Sequence, residues 1–204
     1  MASAAARLIV FTDTTRAAAS RMLERFAALA ERAEPQRVSF VLRDYGLPVR
    51  ERLRLGERLA ALSARAQQHF GIAERADLAR ALGCDAFHLP EAGLSAADAR
   101  SYLGSAVWLS RGTHAPDAAV EPELDAVLLS PLFEARKGRP ALGVAALERA
   151  RRAQPRLAWF ALGGVGASHA AACLAAGASG VAVIGAALAP DPEPLLGALG
   201  ILRR

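Results

Sequence analysis

The sequence predicts a (β/α)8 barrel, and three observations predict it. Eight short apolar, β-branched runs recur along the chain: "LIVFTD" (8–13), "RVSFVLRD" (37–44), "QHFGIAER" (68–75), "DAFHLP" (85–90), "SAVWLS" (105–110), "DAVLLS" (125–130), "LAWFALGG" (157–164) and "GVAVIG" (180–185). Helix-like segments lie between them. No G-x-G-x-x-G follows the first run, which counts against the alternative of an open doubly wound sheet. Strands that are nearly all apolar and alternate with helices imply a parallel sheet covered by helices, and eight such units close on themselves as a TIM barrel. At 204 residues the chain is at the small end for this fold, so residues 1–204 are read as one compact domain with short loops.

Each element has its own signal. The first run ends on Asp13, and residues 15–33 carry Met22, Leu23, Phe26, Leu29 and Ala30 at helical spacing. The second run ends on Arg43-Asp44, and residues 49–66 place Leu53, Leu55, Leu59 and Leu62 along a helix. The third run is the least regular, because charge follows it closely at Glu74-Arg75. "ADLARALG" closes on Gly83, a C-cap signal. The fourth strand alternates Phe87, His88 and Leu89. "SAADARSYLG" opens on Ser95, an N-cap residue, and closes on Gly104. The fifth and sixth strands end on Ser110 and Ser130, and the seventh stops at Gly163-Gly164. "SHAAACLAAG" repeats the capping grammar with Ser168 and Gly177, and the eighth strand ends at Gly185.

Composition narrows the function classes. Apolar residues make up 53% and charged residues 22%, a globular balance and not a disordered one. The net charge of +5 comes from 25 basic and 20 acidic residues that are interleaved, with Lys137 the only lysine. No basic stripe of the kind nucleic-acid binders carry is present. Cys84 and Cys173 are far apart in apolar surroundings and read as buried free thiols. Without a CxxC or a Cys/His cluster no structural zinc is expected. "MASAAARLIVFTD" reads as a first strand and not as a signal peptide. The most apolar stretch, 170–189, is broken by Gly177, Gly180 and Gly185, so no membrane span is expected. A cytoplasmic protein follows. The oligomeric state is open, and a homo-oligomer is compatible with the sequence.

In such barrels the active site forms at the C-terminal ends of the strands, and a phosphate site forms at the loops after strands 7 and 8. "GGVGAS" and "IGAAL" occupy those two places. Glycines let a ligand approach the backbone, and the amides of a following helix attract an anion. Gly163, Gly164 and Gly185 are therefore the expected phosphate contacts. Arg43 and Arg75, at the ends of different strands, suit a phosphate or carboxylate, or else pair with Asp44 or Glu74. Ser110 and Ser130 end strands and can donate to a substrate. The loop around Lys137, "EARKGRPALG", can close over an anion. His88 reads either as a core histidine or as an acid–base group, and His114 follows the fifth strand. No Ser-His-Asp spacing supports a hydrolase. A magnesium ion on a diphosphate takes one or two protein carboxylates, for which Glu74 and Glu91 are the candidates.

"LRDYGLP", "ERADLARALGCDAFHLP", "DAVLLSPLFEARKGRPALG" and "ALGGV…AAGASGVAVIGAAL", in this order and spacing, resemble the thiamine phosphate synthase/TenI family over nearly the whole chain. The resemblance implies a (β/α)8 barrel and a thiazole phosphate as small-molecule ligand. Family synthases join a pyrimidine pyrophosphate to a thiazole phosphate with Mg²⁺. TenI-type members move a proton on a carboxylated thiazole phosphate and need no cofactor. Residue by residue, Gly163, Gly164 and Gly185 match the thiazole-phosphate site; in many members Gly185 is a serine. Arg43, Arg75 and Ser110 match motif residues after the second, third and fifth strands, and Lys137 lies close to the lysine of the loop after strand 6. Departures stand beside these matches. Tyr45 replaces a lysine of the synthases, Val41 a glutamine, Ala73-Glu74 an Asn-Asp pair and Gly93 a metal-binding aspartate. Pro131 stands where TenI-type enzymes carry a proton-bearing histidine.

Three functions are consistent with this pattern. One is a TenI-like thiazole tautomerase using His114, His88 or Glu74 as acid–base group. Another is a divergent synthase with Mg²⁺ on Glu74 and Glu91 and with Arg43, Arg75 and Lys137 on the departing pyrophosphate. The third is a non-catalytic phosphate-ligand binder.

Overall fold

The computed structural model describes residues 6–136 and 138–203. Eight parallel strands close into a barrel in chain order, with β1 also pairing β8. They are β1 Leu8–Phe11, β2 Val38–Leu42, β3 His69–Ala73, β4 Ala86–Leu89, β5 Trp108–Thr113, β6 Ala126–Leu129, β7 Ala158–Leu162 and β8 Gly180–Val183. The α-helices are α1 Ala19–Arg32, α2 Val49–Arg65, α3 Ala76–Leu82, α4 Ala96–Leu103, α5 Val144–Ala153, α6 Ala167–Ala175 and α7 Glu193–Ala198, with a short 3-10 turn at Gly185–Leu188.

Side-chain alternation along the strands builds two cores. Leu8, Val10, Phe40, Leu42, Ile72, Phe87 and Leu89 face outward and pack under the helices. Ile9, Phe11, Val41, Ala73, Ala126, Leu128, Phe160 and Ala182 face inward and fill the barrel axis. Both faces are buried, and for that reason the strands read as continuous apolar runs. Small interior residues set the diameter. A Cβ on Gly71 would meet the Val41 side chain at 3.0 Å and Ala86 at 3.2 Å. The helices cover the barrel through the stripes expected of them, such as Met22, Leu23, Phe26, Leu29 and Ala30 of α1.

Caps follow the sequence in two places. Gly83 ends α3 in the left-handed conformation, φ 63°. Ser95 Oγ accepts the Asp98 amide at 3.0 Å at the start of α4. At α6 the expectation is corrected. Gly166 is the N-cap and Ser168 already lies inside the helix, without a side-chain cap. Cys84 and Cys173 are buried free thiols, pushed by burial to about 12 and about 11.

The fifth unit departs most from expectation. β5 starts at Trp108 and runs to Thr113, so Ser110 lies within the strand and not at its end. The strand passes through Arg111 because that charge is satisfied. Its guanidinium donates to the Pro90 and Leu94 carbonyls at 2.9 and 2.7 Å and pairs with Glu121 at 2.6 Å. No helix follows, so the eight strand–helix units become seven units and a loop. Side chains hold that loop instead. Glu121 also accepts the Ala96 amide, and Arg100 of α4 reaches the Glu123 carbonyl and Asp125. No helix among the described residues is long and apolar enough to cross a membrane.

Candidate functional site

A cavity of about 490 Å³ opens at the C-terminal ends of the strands. Among the residues expected there, Arg43, Glu91, His114, Ser130, Gly163, Gly164 and Gly185 line it. Arg16, Glu134, Arg136 and Arg139 line it as well. Glu74, Arg75, His88 and Ser110 do not, and Lys137 lies outside the described residues.

The glycine pair after β7 has a structural cause. Gly163 and Gly164 adopt φ 95° and 71°, a region that penalises any Cβ. Both also lie against the backbone of the β6–α5 loop. A Cβ on Gly163 would come within 2.9 Å of Pro131 Cα, and one on Gly164 within 2.8 Å of Glu134 Cβ. The Leu132 and Phe133 amides donate to the Leu162 and Gly163 carbonyls, both at 2.9 Å. The two glycines therefore seal β7 to the loop that carries Glu134 and Arg136 into the cavity.

On the β1 and β2 side one carboxylate organises two cations. Asp13 Oδ1 accepts from the Thr15 amide and hydroxyl at 3.2 and 2.5 Å. Its Oδ2 lies 3.1 Å from Arg43 Nη2 and 3.5 Å from Arg16 Nε. Burial alone would raise the Asp13 carboxyl. The Thr15 hydrogen bonds and the Arg43 and Arg16 charges outweigh it and hold the carboxyl below its ordinary value. Arg43 is fixed at its backbone too, its amide donating to Thr12 Oγ1 at 2.8 Å.

His114 is held on the opposite wall. Its Nδ1 lies 2.5 Å from the Ser130 carbonyl oxygen, which can only accept, so Nδ1 carries a proton. Its Nε2 lies 3.4 Å from Glu91 Oε2, which also takes Arg139 Nη1 at 3.2 Å. With Nδ1 the donor to Ser130, Nε2 is the ring nitrogen that faces Glu91.

The remaining candidates lie elsewhere. His88 is buried in the barrel, its Nδ1 3.0 Å from Ser110 Oγ and its ring edge-on to Phe11. Burial, with the Arg43 and Arg111 charges, lowers its pKa to about 3, so it is neutral near pH 7. Glu74 is exposed, in a left-handed conformation with φ 70°, and its amide donates to the His88 carbonyl at 3.0 Å. Its carboxylate acts electrostatically on Arg52, Tyr45 and Arg75. Arg75 turns to Asp77, with Nε 2.7 Å from Oδ1. Glu74 and Glu91 therefore do not share one site, and no group of three or more His, Cys, Asp or Glu side chains able to hold a metal occurs among the described residues. Glu91 is engaged by a guanidinium and an imidazole, and Glu74 has cations as neighbours. This donor set does not fit a divalent cation held between the two.

Three polar residues in or near the barrel mouth carry no plain sequence signal for that place. Arg16 follows a run of threonines beyond β1, with no element of its own to flag it. Glu134 sits in the basic loop and is masked by it. Arg52 is buried in α2, its Nη2 donating to the Ala73 carbonyl at 2.8 Å. A signal for Arg52 exists, because it occupies the apolar stripe with Leu55, Leu59 and Leu62. The Arg52 and Arg43 guanidiniums lie over the Tyr45 ring, 5.4 and 5.7 Å from its centre.

Known proteins resemble this chain throughout. The family model described as thiamine monophosphate synthase matches residues 8–187. The thiamine-phosphate synthase of Thermus thermophilus is 37% identical over 150 residues, which is 71% of this chain and 72% of that protein. That of Mycobacterium avium is 34% identical over 196 residues, 89% of this chain and 86% of the relative. A solved thiamine phosphate pyrophosphorylase from Pyrococcus furiosus has a TM-score of 0.80 at 21% identity and covers 95% of both chains. At that identity it bears on the fold alone.

Proposed function

This chain belongs to the thiamine monophosphate synthase family, and from that premise we propose that it binds a thiazole phosphate in the barrel mouth and shifts a proton on it, as a TenI-like thiazole tautomerase. The observation that carries the reading is His114. It is the histidine that lines the cavity, with Nδ1–H anchored on Ser130 and Nε2 left to take a proton. The phosphate lies toward the Gly163-Gly164 and Gly185 turns, with the cations Arg43 and Arg16 beside it. His114 Nε2 accepts a proton from the ring system and returns it at a second position, so the composition is unchanged. The Glu91 carboxylate stabilises the imidazolium between the two transfers, and Arg136 and Arg139 offset the negative charge that develops on the ring. The proton transfer as proposed draws on these side chains alone. His88, held neutral in the core, and Glu74, outside the cavity, are not assigned the proton.

The test is an NMR assay of a carboxylated thiazole phosphate in deuterated water. The wild type is expected to interconvert the tautomers and incorporate deuterium. His114→Gln is expected to lose turnover while binding thiazole phosphate within about twofold. Binding without turnover in the wild type would make the protein a non-catalytic phosphate-ester binder.

A second reading is favoured by the names of the relatives, which are thiamine-phosphate synthases. Such an activity would put the departing pyrophosphate on Arg43, Arg75 and Lys137. Formation of thiamine phosphate from the two substrates, abolished by a chelator, would replace the tautomerase reading with the synthase one.

A further inference from the structure

We infer that Arg16 is an additional phosphate-binding residue and that the bare backbone at Gly185 lets its guanidinium lie close to the β8 turn. The inference rests on the phosphate-ester reading above and deepens it. Glycine at 185 has no backbone explanation, since its φ is not among the positive values found at Gly163 and Gly164. Its surroundings supply one. Beyond the adjoining chain, a Cβ there would meet one atom within 4 Å, Arg16 Nη1 at 3.3 Å. The guanidinium tip thus lies against the β8 turn, where a Cβ at 185 would press on it and displace it by a few tenths of an ångström.

Asp13 puts it there. The carboxylate takes Arg16 through Nε, which leaves the two Nη groups unconstrained by that ion pair. The same oxygen takes Arg43 through Nη2, and Arg43 Nε has no hydrogen-bond partner among the described residues. One buried carboxylate thereby orients two guanidiniums on the same cavity wall. Two cations against one anion leave the pair one positive charge in excess, facing the glycine turns. A phosphate monoester between those turns and Arg16 would complete it. Asp13 is a positioning residue, acting through the two arginines.

The experiment is a thermodynamic cycle on binding, with inorganic phosphate and a thiazole phosphate as probes in isothermal titration calorimetry. Arg16 is half-exposed, so Arg16→Ala is expected to melt close to the wild type. It is expected to lose about tenfold in affinity for both probes, the size of one charge-assisted contact, and Arg16→Lys is expected to recover part of that. Gly185→Ser is expected to weaken binding in the wild type but not in the Arg16→Ala background. Equal affinity of Arg16→Ala and wild type overturns the inference while leaving the phosphate site in place. An equal effect of Gly185→Ser in both backgrounds overturns the steric relation between the two residues. Failure of the wild type to bind either probe removes the phosphate-ester reading itself, and the inference with it.

Discussion

The two halves of the barrel mouth are built differently. On the side of β6, β7, β8 and β1, glycine turns and polar loops enclose a cavity that Arg43 after β2, Glu91 after β4 and His114 after β5 complete, and the arginines lining it outnumber its carboxylates. On the side of β2, β3 and β4, several polar groups turn to one another, although Arg52 Nε and Asp44 Oδ2 are buried without a hydrogen-bond partner among the described residues. Arg52 is tied to the Ala73 carbonyl and covered by Tyr45, the Glu74 amide is tied to the His88 carbonyl, and Arg75 turns to Asp77. Charge left over in a concave wall is capacity for a ligand, whereas charge already paired is structure. Most residues by which this chain departs from the synthase pattern, Val41, Tyr45, Ala73-Glu74 and Gly93, belong to β2, β3 or the loops after β2, β3 and β4, whereas Gly185 departs within the cavity. The retained glycines Gly163 and Gly164 line the cavity.

The largest way to test that division is at His114. If the first half holds the chemistry, His114→Gln is expected to lower turnover by about 10²–10⁴ with ligand affinity nearly unchanged, read as kcat against KM. A comparable loss from Glu74→Gln would instead place the chemistry in the second half. Next in size is Gly163→Ala. It forces a Cβ into a left-handed backbone and to 2.9 Å from Pro131 Cα. Together these are expected to cost about 3 kcal/mol of stability, measured by urea denaturation. Phosphate affinity is expected to fall too, because the loop bearing Glu134 and Arg136 must shift.

The barrel was legible in the sequence because parallel strands buried on both faces leave continuous apolar runs. All eight runs became strands, and β5 shifted because Arg111, charged yet satisfied by Pro90, Leu94 and Glu121, reads as a strand stop. Cavity-lining residues just past a strand, such as Arg43, Ser130 and Gly163, were legible for the same reason, since the strand end places them. Arg16 and Arg52 were not, because a carboxylate and a carbonyl from other elements decide where they go. The glycine pair was legible as a turn, but its cause, a second loop's backbone lying against it, exists only in the folded molecule. Arg75 was misplaced by its position after β3, since Asp77 two residues on captures it.

His88 tests whether the axis beneath the mouth is scaffold. Its folded pKa is depressed to about 3, while an unfolded histidine titrates near 6.5. Between these values the unfolded chain binds the extra proton, so stability rises with pH across that window and is lost as pH falls through it. The slope approaches about 1.4 kcal/mol per pH unit below the unfolded value, or about 2 kcal/mol from pH 6.5 to 5. His88→Gln is expected to flatten this part of a stability–pH curve recorded by urea denaturation. An unchanged slope would mean that His88 titrates normally and is open to solvent.

The smallest expected effect is the sharpest on the comparison itself. Tyr45 is about half-exposed, 48%, and its ring lies under two guanidiniums. Removing it should forfeit no more than about 1 kcal/mol of cation–π stabilisation per guanidinium, because Arg52 keeps its carbonyl and Arg43 keeps Asp13. Tyr45→Ala is therefore expected to leave thiazole phosphate affinity within about twofold of the wild type by calorimetry. A tenfold loss would show that Arg43 depends on the ring to face the cavity and that the two halves form one site. A gain of affinity for inorganic pyrophosphate would be more telling still. It would mean that Tyr45 covers a working anion site made by Arg43 and Arg52, and that the second half is closed by one side chain and not dismantled.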